Sequence, residues 1–282
     1  MKFYLTGLGN LYENLDKIKR SVIEADKLGF DGALMPDHYM WGSEIGHTMT
    51  NPYSTLETWT TLTYLAGTTD RISLGTLVTP LPFRHPGALA KRLSTLDVLS
   101  GGRVVLGVGA GWSRVEFEGY SRWLETGPRV NATVEALEIM RRLWTEPEVS
   151  FKGEYYEVKG AVLDPKPVQK PYPRLLFGSQ GRRMLQLTGR YGDICFIPPW
   201  AAAKQTEIKE TVLAAAEEAG RIGDVAFMGG LMGAAGPYSS DEYAQLVDAQ
   251  EVAGSAYCAV AFPRGSADAM RRFAEEVMPS YR

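Results

Sequence analysis

Between Arg71 and Trp112 the chain runs strand, helix, strand. A β-branched Arg-Ile-Ser-Leu-Gly-Thr-Leu-Val run stops at Thr-Pro, a helical segment follows over Pro86 to Leu99, and Val104 to Val108 then breaks off in Gly-Ala-Gly-Trp. Two apolar strands joined through a helix lie parallel in a sheet covered on both faces, because a parallel return needs a crossover of a dozen or more residues. This pattern suggests a β/α barrel. Both strands end in small residues, which lets backbone come close to a flat phosphorylated ligand at the carboxyl end of the sheet.

The same rhythm extends along the chain. Strand-like runs occur at Phe3 to Leu8, Gly32 to Met35, Arg71 to Val78, Val104 to Val108, Arg174 to Phe177, Asp193 to Ile197, Val225 to Leu231 and Ala256 to Phe262. Helical periodicity fills the gaps, over Glu13 to Leu28, Thr55 to Ala66, Pro86 to Leu99, Arg182 to Tyr191, Ala203 to Ala219, Asp241 to Ala253 and Ala267 to Val277. Eight such units close most economically into an α/β (β/α)8 TIM barrel, with an open doubly wound sheet as the rival. The length of 282 residues suits one barrel domain over 1–282, since the fold typically takes about 250 residues. After Trp112 the order loosens. A helix over Val130 to Trp144 and a hairpin over Val149 to Val158, turning at Lys152-Gly153-Glu154, read as an insertion between strands four and five.

A formal charge of −3 supplies no basic field for nucleic acid or anionic lipid. Two cysteines, Cys195 and Cys258, each sit in an apolar run and read as buried thiols rather than a disulfide framework. The amino terminus is broken by glycine too early for a signal peptide, and no apolar run approaches a membrane span, so a cytoplasmic location is expected.

In a barrel, chemistry belongs to the residues just after each strand. Asp37 and His38 follow strand two. Histidine exchanges protons near neutrality, and the adjacent carboxylate accepts hydrogen bonds or sets the site's charge; a polar capped turn is the plain alternative. Gly107-Val108-Gly109-Ala110-Gly111-Trp112 falls short of a dinucleotide fingerprint, because the third glycine position holds an indole. Gly178-Ser179-Gln180-Gly181-Arg182-Arg183 opens a helix after strand five and combines exposed N–H groups, a hydroxyl and two arginines, the best phosphate candidate in the chain. His38, His47 and His85 have no metal-ligand spacing, and no Gly-x-Ser-x-Gly elbow occurs. Tyr39, Trp41 and Trp112 are placed to wall a ring-shaped ligand, with ordinary core packing as the alternative.

Asp37-His38, the Arg71 to Pro80 strand with Arg84-His85-Pro86, and Leu96-Asp97-Val98-Leu99-Ser100-Gly101-Gly102-Arg103 leading into Leu-Gly-Val-Gly-Ala-Gly-Trp together resemble the luciferase-like flavin and deazaflavin oxidoreductases. The closing Phe-Ala-Glu-Glu-Val-Met-Pro-Ser-Tyr-Arg is similar too, so the match spans essentially the whole chain. The resemblance implies a barrel that binds coenzyme F420, or alternatively FMN, at its carboxyl face, and a homodimer. It implies a non-proline cis peptide at Leu77-Val78, backing the cofactor ring. Asp-His after strand two is typical of the F420-dependent branch. Carried over, Asp37 contacts the deazaflavin and His38 carries a proton; Leu77, Val78, Thr79, Ala110 and Gly111 line the ring; Ser179, Gln180, Gly181, Arg183 and Met184 hold the phosphate.

The activity so implied is hydride transfer between the deazaflavin C5 and an alcohol, carbonyl or activated alkene. An FMN-dependent monooxygenase and a non-catalytic barrel subunit are the alternatives. Two departures stand out. Trp112 replaces the acidic residue that the sugar-phosphate dehydrogenases of this family place after the strand-four glycine, so a second proton-transfer group is missing or comes from elsewhere. Ile197-Pro198-Pro199-Trp200-Ala201 replaces their polar phosphate pocket after strand six, which favours a smaller or more apolar substrate than glucose 6-phosphate.

Overall fold

The computed structural model describes residues 1–9, 14–41, 55–178, 180–232 and 237–282. Eight parallel strands form its centre: β1 (Lys2–Leu5), β2 (Gly32–Met35), β3 (Ser73–Thr76), β5 (Val104–Gly109), β8 (Arg174–Phe177), β9 (Ile194–Ile197), β10 (Ala226–Met232) and β11 (Tyr257–Ala261). Each pairs with its sequential neighbour, β1 pairs with β11, and the β3–β5 pairing completes a closed barrel. A two-residue strand, β4 (Thr79–Pro80), continues the third strand beyond the cis Leu77–Val78 peptide and pairs with Val108 and Gly109 of β5. The open-sheet alternative is thereby excluded.

Alternation within the strands divides the core in two. Tyr4, Leu34, Val105, Leu176, Ile194, Met228 and Ala259 fill the barrel interior. Their neighbours Phe3, Leu5, Ala33, Met35, Val104, Leu106, Leu175 and Phe177 face outward into the layer beneath the helices. The interior is packed large against small. A Cβ on Gly32 would lie 2.1 Å from the Tyr4 ring, and one on Gly107 would lie 2.0 Å from the Thr76 carbonyl oxygen.

The helices are α1 (Leu15–Leu28), α2 (Thr58–Ala66), α3 (Pro86–Leu99), α6 (Arg182–Tyr191), α7 (Gln205–Glu218), α8 (Ser240–Val252) and α9 (Ala267–Arg272). Several begin where capping chemistry puts them: Asn14 caps α1, Glu57 caps α2, and His85, with Pro86 in the first turn, caps α3. The closing helix differs from its sequence pattern, for after Arg272 it widens into a π-turn over Phe273–Val277. Between β5 and β8 lie α4 (Arg114–Tyr120), α5 (Thr126–Thr145) and an antiparallel hairpin of β6 (Val149–Lys152) and β7 (Glu157–Ala161). This region is more regular than its sequence suggests: α4 has too short a repeat to read as a helix, and α5 starts one turn before Val130. Glu135 of α5 accepts from the N–H groups of Glu154, Tyr155 and Tyr156, which ties the hairpin turn to the helix.

Two outcomes follow from this packing. Gly107→Ala forces a methyl onto a neighbouring strand's carbonyl and is expected to cost about 1–3 kcal/mol, read as a lowered Tm. Burial pushes both the Cys195 and Cys258 thiols up to about 12. They therefore stay neutral at pH 8, and a thiol-reactive probe should titrate neither in the native protein but both in denaturant.

Candidate active site

The exit of β2 carries Pro36-Asp37-His38-Tyr39 to the carboxyl rim of the barrel. Asp37 is buried, and its carboxylate is fully engaged. Arg84 donates to both oxygens at 2.9 and 2.6 Å, and the Thr79 hydroxyl donates to Oδ2 at 2.8 Å. Thr79 in turn accepts from the Trp59 indole at 3.2 Å. The Arg84 guanidinium lies over the Tyr39 ring, 4.9 Å from its centroid, and reaches Glu57 at 3.5 Å. Burial alone would pull the Arg84 pKa down; the charge and hydrogen bonds of Asp37 outweigh it and hold the guanidinium above its ordinary value. This is a buried, bidentate ion pair.

His38 faces the other way. Its Nδ1 lies 2.9 Å from Oε2 of Glu116, a buried residue in the first turn of α4. The second oxygen of Glu116 accepts from the Tyr39 N–H, with the Met40 N–H at 3.5 Å. A carboxylate accepts, so this pairing places the hydrogen on Nδ1 and leaves Nε2 as the acceptor. Trp41 lies against the imidazole at a centroid distance of 4.1 Å and Trp112 at 5.4 Å. Trp112 is 51% exposed at the rim. The site therefore presents an imidazole, anchored from behind by an acid, between two indoles.

The third strand's bulge forms the neighbouring wall. Val78 is wedged between the exits of the fourth and fifth strands: a Cβ on Gly109 would meet one of its methyls at 2.6 Å, and a Cβ on Gly178 the other at 2.8 Å. Gly111 has φ +81°, and a side chain there would strike Phe117 and Pro80 at 2.6 and 3.0 Å, so only glycine suits the turn. Beyond the bulge, α6 starts at the exposed Gly181, and among the described residues no side chain caps its first N–H groups. N–H groups at the positive end of a helix, beside exposed Arg182 and Arg183, suit a phosphate. Glycines that bare the Val78 bulge and a helix start beside it fit a flat tricyclic ring with a phosphorylated side chain.

The residues expected from sequence fall into three groups. His38, Leu77, Val78, Ala110 and Gly111 line or flank the mouth with at least part of their surface open. Asp37 and Thr79 are instead buried against Arg84 and Trp59. At the anion corner Gln180 and Gly181 are exposed, while Arg183 is drawn toward α5 by Asn131 Oδ1 at 2.5 Å, and the Met184 side chain is buried in the core, which leaves its backbone N–H as the polar group. Ser179 and His47 lie outside the described residues. His85 accepts from the Gly87 N–H at 3.2 Å as a helix cap. Among the described residues no group of His, Cys, Asp and Glu is arranged to hold a metal, and no helix is long and apolar enough to cross a membrane.

Two residues of the site were not singled out from sequence. Arg84 stood in a motif without a function, and Glu116 lay unnamed in the stretch after Trp112 where the strand-helix order loosens. An acidic residue in the first turn of a helix is the available signal, but it is equally the ordinary complement to a helix dipole.

A family model described as luciferase-like monooxygenase matches residues 3–275. The chain belongs to that family. Its curated relatives include the F420-dependent glucose-6-phosphate dehydrogenase of Intrasporangium calvum, 34% identical over 179 residues, which cover 61% of this chain and 50% of that protein. They also include the FMNH(2)-dependent dimethylsulfone monooxygenase of Pseudomonas putida, 31% identical over 133 residues, 47% of this chain and 36% of that protein. The chain thus spans about half or less of the length of these relatives. Among solved structures, an F420-dependent secondary alcohol dehydrogenase in complex with an F420-acetone adduct superposes with a TM-score of 0.85 at 21% identity, over 100% of this chain and 99% of that one. That likeness is one of fold.

Arg84→Leu leaves the Asp37 carboxylate buried without its cation and should cost about 3–5 kcal/mol in a denaturant melt. Asp37→Asn combined with Arg84→Leu is expected to recover part of that loss, because the double variant removes the unpaired charge.

Proposed function

We propose that this protein is an F420-dependent oxidoreductase acting on a small alcohol, carbonyl or activated alkene. The observation that carries the reading is the imidazole of His38 at the barrel mouth, backed by a buried carboxylate at 2.9 Å and flanked by Trp41 and Trp112. The similarity to F420-dependent dehydrogenases supports the choice of coenzyme. Bound coenzyme F420 supplies the hydride chemistry, at its C5 carbon.

The chain's own residues supply position and proton transfer. The exposed start of α6, with the Gln180, Gly181, Arg183 and Met184 backbone and the Arg183 guanidinium, binds the phosphate. Leu77, Val78, Ala110 and Gly111 would hold the ring. His38 Nε2 takes the hydroxyl proton when an alcohol is oxidised and returns one to the oxygen when a carbonyl is reduced. Asp37 sets the position of this rim through Arg84 rather than carrying the proton, since its oxygens are already occupied. Two indoles, together with Ile197-Pro198-Pro199-Trp200 after β9, make the approach apolar; Trp200 is 75% exposed. Such walls favour a compact or apolar substrate over a sugar phosphate, because apolar side chains offer a buried phosphate no charge or hydrogen bond. A homodimer in the cytoplasm accords with this reading.

Equilibrium titration of the pure protein, followed by coenzyme absorbance, tests it. Micromolar affinity for F420, with turnover of alcohols or unsaturated ketones and no oxygen uptake, is the expected result. Oxygen consumption with reduced FMN would instead establish the monooxygenase reading favoured by the FMNH(2)-dependent relative. His38→Ala should leave F420 affinity nearly unchanged while lowering turnover at least ~100-fold, the scale of a lost general acid or base. Unchanged turnover would remove His38 from the chemistry.

A further inference from the structure

The geometry points to Glu116 as the positioning residue for His38: its carboxylate fixes the imidazole in the tautomer with hydrogen on Nδ1, so that Nε2 faces the mouth as the proton acceptor. This inference rests on the reading of His38 as the proton carrier.

Three observations carry it. Glu116 is only 3% exposed, and among the described residues no lysine or arginine lies within ion-pair distance of it; His38 is its one such partner. Its two oxygens have separate tasks. Oε2 accepts from Nδ1 at 2.9 Å, while Oε1 accepts from the N–H of Tyr39, so the carboxylate grips both the ring and the backbone that carries it. Finally, the acid arrives on α4, one helical turn beyond Trp112. With the acid on α4, the loop position before it holds an indole that packs beside the imidazole at 5.4 Å. A tryptophan wall and an acid behind the histidine are thereby held together.

A histidine in the neutral state has one N–H, and the partner of one nitrogen decides which nitrogen keeps it. With an acceptor at Nδ1, Nε2 has a free lone pair. When Nε2 takes the proton released by a substrate hydroxyl, the imidazolium formed donates from Nδ1 to a carboxylate already in place, with no reorganisation of solvent.

Glu116→Gln separates positioning from mere packing. The Gln carbonyl oxygen is retained by the Tyr39 and Met40 N–H groups, which turns its amide nitrogen toward Nδ1 as a donor. His38 must then move its hydrogen to Nε2. Nitrogen NMR of histidine-labelled full-length protein without coenzyme reads this directly. Only three histidines contribute signals, and those lost in His38→Asn identify the ring. The wild type is expected to show a protonated Nδ1, Glu116→Gln a protonated Nε2, and Glu116→Asp the wild-type tautomer. With coenzyme, Glu116→Gln should lose on the order of 10²–10³ in kcat, with F420 affinity within about twofold, and Glu116→Asp should recover part of it.

A wild-type His38 protonated on Nε2, a Glu116→Gln spectrum identical to wild type, or a swapped tautomer with undiminished kcat would each overturn the assignment. Failure of the wild type to bind F420 would overturn the functional reading while the tautomer result still judged the pair.

Discussion

The Asp37–Arg84 pair organises the rim on which everything else stands. Removing a carboxylate and a guanidinium from water costs several kcal/mol per ion, and only good geometry offsets that cost. Here the carboxylate receives two guanidinium hydrogen bonds and one from the Thr79 hydroxyl. Arg84 follows the third strand's extension, Asp37 follows the second strand, and Glu57, which Arg84 also reaches, caps α2. Through these two ion pairs Arg84 joins three separate segments. Because a buried carboxylate has no inexpensive alternative partner, the backbone on either side of it has little freedom.

His38 inherits that rigidity. Asp37 is held by Arg84, and the next side chain along the chain is held by Glu116 of α4. The adjacent Asp and His therefore do separate work with separate partners. A buried ion pair fixes the main chain, and a second carboxylate fixes the ring. The Val78 bulge is held by the same logic of tight contact, since glycines at 109 and 178 leave just enough room for its two methyls. A mouth built from such contacts is formed in advance, and a ligand entering it finds the histidine and the bulge already placed.

The strands were largely legible in the chain because strands buried on both faces must be apolar throughout, and the helices between them because each covers the barrel with one face. Gly32–Met35, Pro86–Leu99, Arg174–Phe177 and Arg182–Tyr191 have the bounds their residues suggest. Edges moved where local chemistry intervened: the Glu57 cap delays α2 beyond Thr55, and the pairing of Thr79 and Pro80 with β5 divides the third strand around Val78. The seven-residue α4 left too little periodicity to detect, and with it went Glu116.

His38 and the glycine-rich exits could be found from the sequence because a parallel barrel dictates where its chemistry must sit, and because glycine is needed wherever backbone or ligand comes very close. Their position depends on order along the chain, which the sequence alone determines. Partnership was decided only in three dimensions. That Asp37 belongs to Arg84, 47 residues on, and His38 to Glu116, 78 residues on, follows from barrel closure, which brings the exits of strands two, three and four side by side. A carboxylate shows the same letter whether it clamps an arginine, orients an imidazole or faces water. Burial and the nearest donor separate those fates, and neither exists until the chain has folded.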